Sequence, residues 1–331
     1  MRINSDVRAR LLAESVCVLF MGAVVAAANG FHLAYILFPE LAALASDVLQ
    51  RPTGKWAKEP WKLVITPTAA AVAGVAVTKF LPYGDASVLL AMLLSIGIVL
   101  GLRSAVAPAI SAGVLPVALG VSSWLYPVCI LCGLVLLGST LLVWRGSTFG
   151  RALSQEKGPD IRVTEVLEST PHGRWWFGAH FLFVALIGLV AQLTGWRFIL
   201  FPPLIVMAYE MLGHPGTCPW AKAPYTLPVV CTITAAVGVQ SVFWMGVTPV
   251  SAAIVILIGF LVLRVVRLRM PPALAIGLIP FILSTPSYRY VLSVAIGTVA
   301  LTVWFLLFRA LLFSRRMQWQ RKGNDQVASK L

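Results

Sequence analysis

Long apolar runs alternate with short stretches that hold most of the charges, and the alternation continues from residue 11 to residue 312. Twelve apolar segments can be marked, at 11–29, 31–49, 61–82, 87–102, 106–121 and 123–145, then at 176–195, 197–213, 225–246, 248–264, 271–286 and 288–312. Runs of this kind predict helices immersed in a bilayer rather than helices with one face on a soluble core. A spanning helix needs about 20 residues, so the second and fifth segments of each set of six are short. They are expected either to tilt or to re-enter as half-helices.

The two sets of six resemble each other residue by residue. Phe38-Pro39 and Asp47 match Phe201-Pro202 and Glu210 at an offset of 163, and Arg51-Pro52 matches His214-Pro215. One residue is then added, and an offset of 164 aligns Trp56-Ala57-Lys58 with Trp220-Ala221-Lys222, Gly74 with Gly238 and Arg103 with Arg267. The same offset aligns Pro108-Ala109 with Pro272-Ala273, Gly113 with Gly277, Pro116 with Pro280, Tyr126 with Tyr290 and Arg145 with Arg309. These are glycine, proline, aromatic and charged positions, which a shared apolar composition would not align by itself. The expected architecture is an all-α polytopic membrane protein of two tandem repeats: residues 1–145, a linker at 146–175, residues 176–313, and a basic tail at 314–331. Six crossings per repeat would give both copies the same orientation, so they would be parallel repeats with a pathway at their interface.

Composition agrees with this pattern. Of 331 residues 59% are hydrophobic and 11% charged, with a mean hydropathy of +0.88. The net charge of +14 is spread over short clusters with no basic stripe or nucleic-acid module, so no nucleic-acid partner is expected. With the N-terminus inside, the inner loops hold Arg51, Lys55, Lys58 and Lys62, then Arg103, then Arg145, Arg151, Lys157 and Arg162. They go on with Lys222, with Arg264, Arg267 and Arg269, and with Arg315, Arg316, Arg321 and Lys322; the outer loops keep Lys79, Arg197 and Arg289. The positive-inside rule therefore places both termini in the cytoplasm, in a cell (inner) membrane, with 1–30 read as a retained helix. The linker is expected to hold a short amphipathic helix near Asp160 to Leu167. Five cysteines include a Cys129-x-x-Cys132 inside a spanning pattern, read as packing, and no histidine pair has metal-ligand spacing. No metal, cofactor or enzymatic activity is expected; lipid and a small ligand are the partners, and a homo-oligomer is compatible with the pattern.

Two paired features carry candidate chemistry. Pro108 and Pro271-Pro272 suit the first turn of a helix, where an N–H has no intrahelical partner, and Arg103 and Arg267 precede them by four to five residues. A helix N-terminus beside a guanidinium favours an oxyanion, and the small residues that follow, including Gly113 and Gly277, permit close approach. The alternative is that the arginines only anchor topology and the prolines only start helices. Asp47 and Glu210, at matching inner helix ends, are candidates for proton coupling, or else pair with Lys58 and Lys222 or with Arg103 and Arg267. Trp56 and Trp220 read as interfacial anchors.

Met270-Pro271-Pro272-Ala273-Leu274-Ala275, followed by Leu278-Ile279-Pro280, resembles the signature of the HPP family of integral membrane proteins. Val106-Ala107-Pro108-Ala109 gives a weaker copy, and Ser123-Trp124-Leu125-Tyr126-Pro127 is similar to the family's last connection. Met270 and Val106 stand where that family has histidine. The basic-loop pattern is also similar to the fusaric-acid-resistance and aromatic-acid-exporter families. The resemblances imply transport of a small anion, such as nitrite or an organic acid. A non-transporting scaffold is the other expectation and would show a closed, apolar interface between halves; an enzyme would need several of Glu14, His32, Glu40, His180 and Glu210 in one polar cavity.

Overall fold

A computed structural model describes residues 5–155 and 175–328, with side chains over 7–154 and 175–311. The linker positions from Asp160 to Leu167, where a short helix is expected, and His172 lie outside the described residues. The first stretch runs α1 (Ser5–Gly30), a 3-10 turn (Ala34–Ile36), α2 (Glu40–Gln50), α3 (Lys55–Lys58), α4 (Pro60–Phe80), α5 (Asp85–Gly101), α6 (Pro108–Leu119), α7 (Leu125–Gly146) and α8 (Thr148–Gln155). The second runs α9 (Trp175–Thr194), a 3-10 turn (Arg197–Leu200), α10 (Pro202–Gly213), α11 (Pro219–Lys222), α12 (Thr226–Met245), α13 (Pro249–Val265), α14 (Pro272–Leu278) continued as a 3-10 turn (Ile279–Ile282), and α15 (Tyr288–Ala328). The protein is all-helical, with no strand among the described residues, and the order from α9 to α15 follows that from α1 to α7 element by element.

Six helices, α1, α4, α7, α9, α12 and α15, contain segments long and apolar enough to cross a membrane. Their outward faces carry large exposed apolar side chains such as Leu19, Val143, Leu193 and Trp244, as lipid contact requires. α5 and α13 have 17 residues each, the lower end of a spanning length. α2, α6 and α10 have 11 or 12 residues and α14 only seven, so at ~1.5 Å per residue none exceeds about 18 Å, against a hydrocarbon core of about 30 Å. The segments expected at 31–49 and 197–213 break at Phe38-Pro39 and Phe201-Pro202 into a 3-10 turn and a short helix, because the proline cannot donate to a preceding turn.

The fifth helices differ in how they stop. α6 runs past Pro116 and closes on Gly120, whose φ of 73° is available to glycine at no steric cost. Ser284 occupies the matching position in the second half, and there α14 tightens into a 3-10 turn around Pro280 and ends on extended Leu283.

The halves interlock. α1 packs on α13 and α9 on α5, while α2 packs on α14 and α10 on α6, so the four short helices converge between the halves. Both buried apolar clusters mix the halves: Leu41, Leu63 and Tyr126 share one with Phe260 and Leu274, and Met92, Ile96 and Ile110 share the other with Leu204 and Met211. Within each half the tightest crossing is glycine on glycine. A Cβ added at Gly74 would lie 2.0 Å from the carbonyl oxygen of Gly113, and one added at Gly238 would lie 2.0 Å from that of Gly277. The Tyr126 hydroxyl bonds the Ala112 carbonyl at 2.9 Å and that of Tyr290 the Ile276 carbonyl at 2.8 Å, which fixes each fifth helix against the sixth.

Because the obstructing atom is backbone, Gly74→Ala or Gly238→Ala should cost about 1–3 kcal/mol, read as a lowered melting temperature in detergent or lipid. Gly97→Ala, in α5 with nothing within 4 Å of the added carbon, should leave melting unchanged or slightly raised.

Candidate functional site

The last turns of α2 and α10, the single-turn helices α3 and α11, and the first turns of α6 and α14 surround one cavity between the halves. Ala43, Asp47, Arg51, Trp56, Pro108, Glu210, Pro219, Trp220, Arg269, Pro271 and Pro272 form its wall, and its empty volume, counted out to the solvent, is about 500 Å³. Three pairs of matching positions contribute: Asp47 with Glu210, Trp56 with Trp220, and Pro108 with Pro272. The wall is mostly apolar, so its four charged side chains interact in surroundings far less polar than water.

Local bonding holds these residues in place. α2 ends with Arg51 N–H on the Asp47 carbonyl and α10 with His214 N–H on the Glu210 carbonyl, both at 2.9 Å. The Arg51 guanidinium donates to Asp47 Oδ1 one turn earlier in α2, with Asp47 3% and Arg51 7% exposed. Beyond it, Arg145 at the end of α7 donates from Nε to the Pro52 carbonyl at 2.9 Å and from Nη2 to that of Ala57. Trp144 Nε1 bonds the Leu49 carbonyl at 2.9 Å. The Trp56 indole N–H reaches the Ala105 carbonyl at 2.7 Å, and that of Trp220 the Met207 carbonyl at 3.5 Å. Both tryptophans are buried in the wall, so their roles differ from the interfacial anchoring expected from sequence.

Of the residues singled out by sequence, Asp47, Glu210, Pro108, Pro271 and Pro272 come together here, and Arg103, Arg267, Gly113 and Gly277 do not line the cavity. Arg103 and Arg267 are exposed and take left-handed backbone angles, φ 46° and 54°, just beyond α5 and α13. There the next N–H, of Ser104 or Leu268, turns back to the Val99 or Leu263 carbonyl at 2.8 or 2.9 Å, closing the preceding helix. Gly113 and Gly277 face α4 and α12 at the crossings described above. The expectation that helix N-termini would coordinate a ligand also needs correction. Ala107 and Pro271 are already helical, so the N–H groups of Ala109 and Ile110 bond Val106 and Ala107, and those of Ala273 and Leu274 bond Met270 and Pro271, at 3.0–3.1 Å. The prolines line the cavity and, having no N–H, offer it no donor.

Sequence reading missed the two wall cations. Arg51 was visible as the i+4 neighbour of Asp47, a spacing that brings two side chains together on a helix. Arg269 has no basic counterpart in the first half, where Ala105 stands, so a search for pairs passed over it. The groups named for an enzymatic site are dispersed. Glu14 pairs with Arg264 between α1 and α13, Glu40 accepts a bond from Ser111, His180 is buried beside Trp176 and Tyr209, and His32 is on an exposed turn. All five cysteines are free.

The buried pair makes a quantitative prediction. Arg51→Ala alone should destabilise by about 3–5 kcal/mol because it strands the Asp47 charge, whereas Asp47→Ala with Arg51→Ala should cost clearly less than the sum of the single changes. A double-mutant cycle of unfolding in detergent measures this coupling. Comparison of the chain with models of known protein families, with characterised proteins and with solved structures finds no match in any of the three.

Proposed function

We propose that the protein is a membrane transporter or channel for a small anion, with its pathway through the cavity between two duplicated halves. The observation that carries this reading is the placement of Asp47, Arg51, Glu210 and Arg269 in one mostly apolar cavity where the short helices of both halves meet. Ionised groups held away from water cost several kcal/mol each, and in membrane proteins they concentrate on ion and substrate routes. A scaffold that only docks partners has no use for them, and its interface would be closed and apolar. The repeated element order, with matching residues in the wall, supports duplication, and duplicated transporters bind substrate at the interface of their repeats. The resemblance to the HPP family points to the same class of substrate.

In this reading Arg51 and Arg269 supply planar donors for an oxyanion, the proline rings and tryptophans exclude water around it, and the cavity opens to the cytoplasm, where most of the loop cations lie. Arg103 and Arg267, exposed outside the wall, add to the positive field that draws anions to the mouth. The four wall charges sum to zero, so a bound monoanion leaves the site one negative charge in excess. A companion cation, most simply a proton, restores the balance.

The test is nitrate flux into proteoliposomes, with chloride, phosphate and benzoate run in parallel. Removing the wall cations in D47N/R51Q/R269Q, which also removes the Asp47 carboxylate that Arg51 bonds, should abolish the flux that wild type shows. R103Q/R267Q should only slow it, by a factor that shrinks as salt screens the mouth. Undiminished flux in the triple variant, or no flux of any anion in wild type, would overturn the assignment.

A further inference from the structure

Glu40 is the first residue of α2, 3% exposed, one helical turn before Ala43 of the cavity wall. Ser111 Oγ of α6 donates to its Oε1, while Oε2 is buried with no hydrogen-bond partner. No cation lies within ion-pairing distance of it among the described residues. The surroundings are otherwise neutral. From α1 the Cys17 thiol points to the Ala42 carbonyl, 3.9 Å away, and Glu14 on the same helix is engaged by Arg264. From α7 and α15 the Tyr126 and Tyr290 hydroxyls lie within electrostatic reach of the carboxyl, each already donating to a backbone carbonyl. Tyr35 stacks edge-on against Tyr126, and α14 offers no titratable side chain. On α2 itself Asp47 is neutralised by Arg51.

An unpaired carboxylate at such a site is far costlier than the acid, which gives Oε2 a proton to hold. A route to it is also present. Residues 40, 43, 47 and 51 fall on one face of α2 by helical spacing, and Ala43, Asp47 and Arg51 line the cavity. The cavity therefore reaches to within one helical turn of Glu40, with Ala43 and the buried Leu44 between the Asp47 and Glu40 side chains along α2. The second half has Val206, Glu210 and His214 at the positions of Ala43, Asp47 and Arg51, and Pro203 at that of Glu40, so it lacks this carboxyl.

We infer that Glu40 is a membrane-embedded proton-binding site of the protein, loaded from the cavity along this face of α2. Resting on the transport reading, it is the group whose protonation offsets the charge of the anion. The step is a proton transfer alone: water or hydronium in the cavity gives up a proton, Oε2 takes it, the carboxylate becomes the neutral acid, and release on the other side regenerates it. Asp47, bonded to the Arg51 guanidinium, is not the proton carrier in this reading.

Two readouts on the full chain in lipid separate the proton site from transport. Infrared difference spectra between mildly acidic and mildly alkaline pH should show a protonated-carboxyl band in wild type that is missing in Glu40→Gln, which keeps an acceptor for Ser111 and should melt at or above the wild-type temperature. The same band in wild type and Glu40→Gln, or none in either, overturns the inference. In proteoliposomes an inward proton gradient should raise nitrate uptake by wild type, and in Glu40→Gln the ratio of uptake with and without the gradient should fall to unity. A gradient response retained by Glu40→Gln overturns the coupling role. Absence of flux in wild type alongside a Glu40-dependent band would instead overturn the transport reading and uphold the proton site.

Discussion

A helix that ends inside a bilayer must hide its terminal backbone groups in protein, because the hydrocarbon offers them no partner. Four helices here are too short to cross the hydrocarbon core, and their disposition fits the requirement. α2 and α6 cannot both be covered by their own half, so α2 lies on α14 and α6 on α10 of the other. The crossing of α1 onto α13 and α9 onto α5 closes lipid out around them. The first turns of α6 and α14 satisfy their N–H groups on the residues just before them, so the ends are self-sufficient where they meet the cavity. Close packing of each fifth helix on the third completes the arrangement, and it is possible only because glycine stands on both sides of the crossing.

The cavity is a consequence of the same geometry. Where short helices from two halves converge end to end they leave a space that no side chain of either half fills, and the residues at their ends face it in near-matching pairs. Matching is incomplete in the charges: Arg51 stands against His214, Ala105 against Arg269, and Glu40 against Pro203. The result is a frame with similar walls on two sides and unequal ionisable groups.

Much of this was legible in the chain. Apolar runs and their interruptions gave the helices, and the proline positions marked where the short ones begin, because proline's missing N–H leaves a mark in sequence and structure alike. Asp47 and Glu210 were found because carboxylates near apolar segments stand out. Arg103 and Arg267 misled because adjacency in sequence to Pro108 and Pro271 suggested adjacency in space, whereas left-handed closure of α5 and α13 turns each arginine outward. Glu40 entered the sequence reading only as part of an enzymatic set, because its burial, with Oε2 unpartnered and Ser111 of α6 donating to Oε1, depends on packing between helices that no local pattern encodes.

The central claim is that a water-filled, anion-accepting cavity lies between the halves, and chemical modification of its wall tests that most directly. Ala43→Cys, in a background with Cys132 replaced by serine, would be treated with an anionic methanethiosulfonate in oriented vesicles. The account predicts modification from the side bearing residues 51–58, slowed by added nitrate. A cysteine at position 43 that stays unreactive in folded protein, or reacts at a rate indifferent to every anion tried, would contradict it.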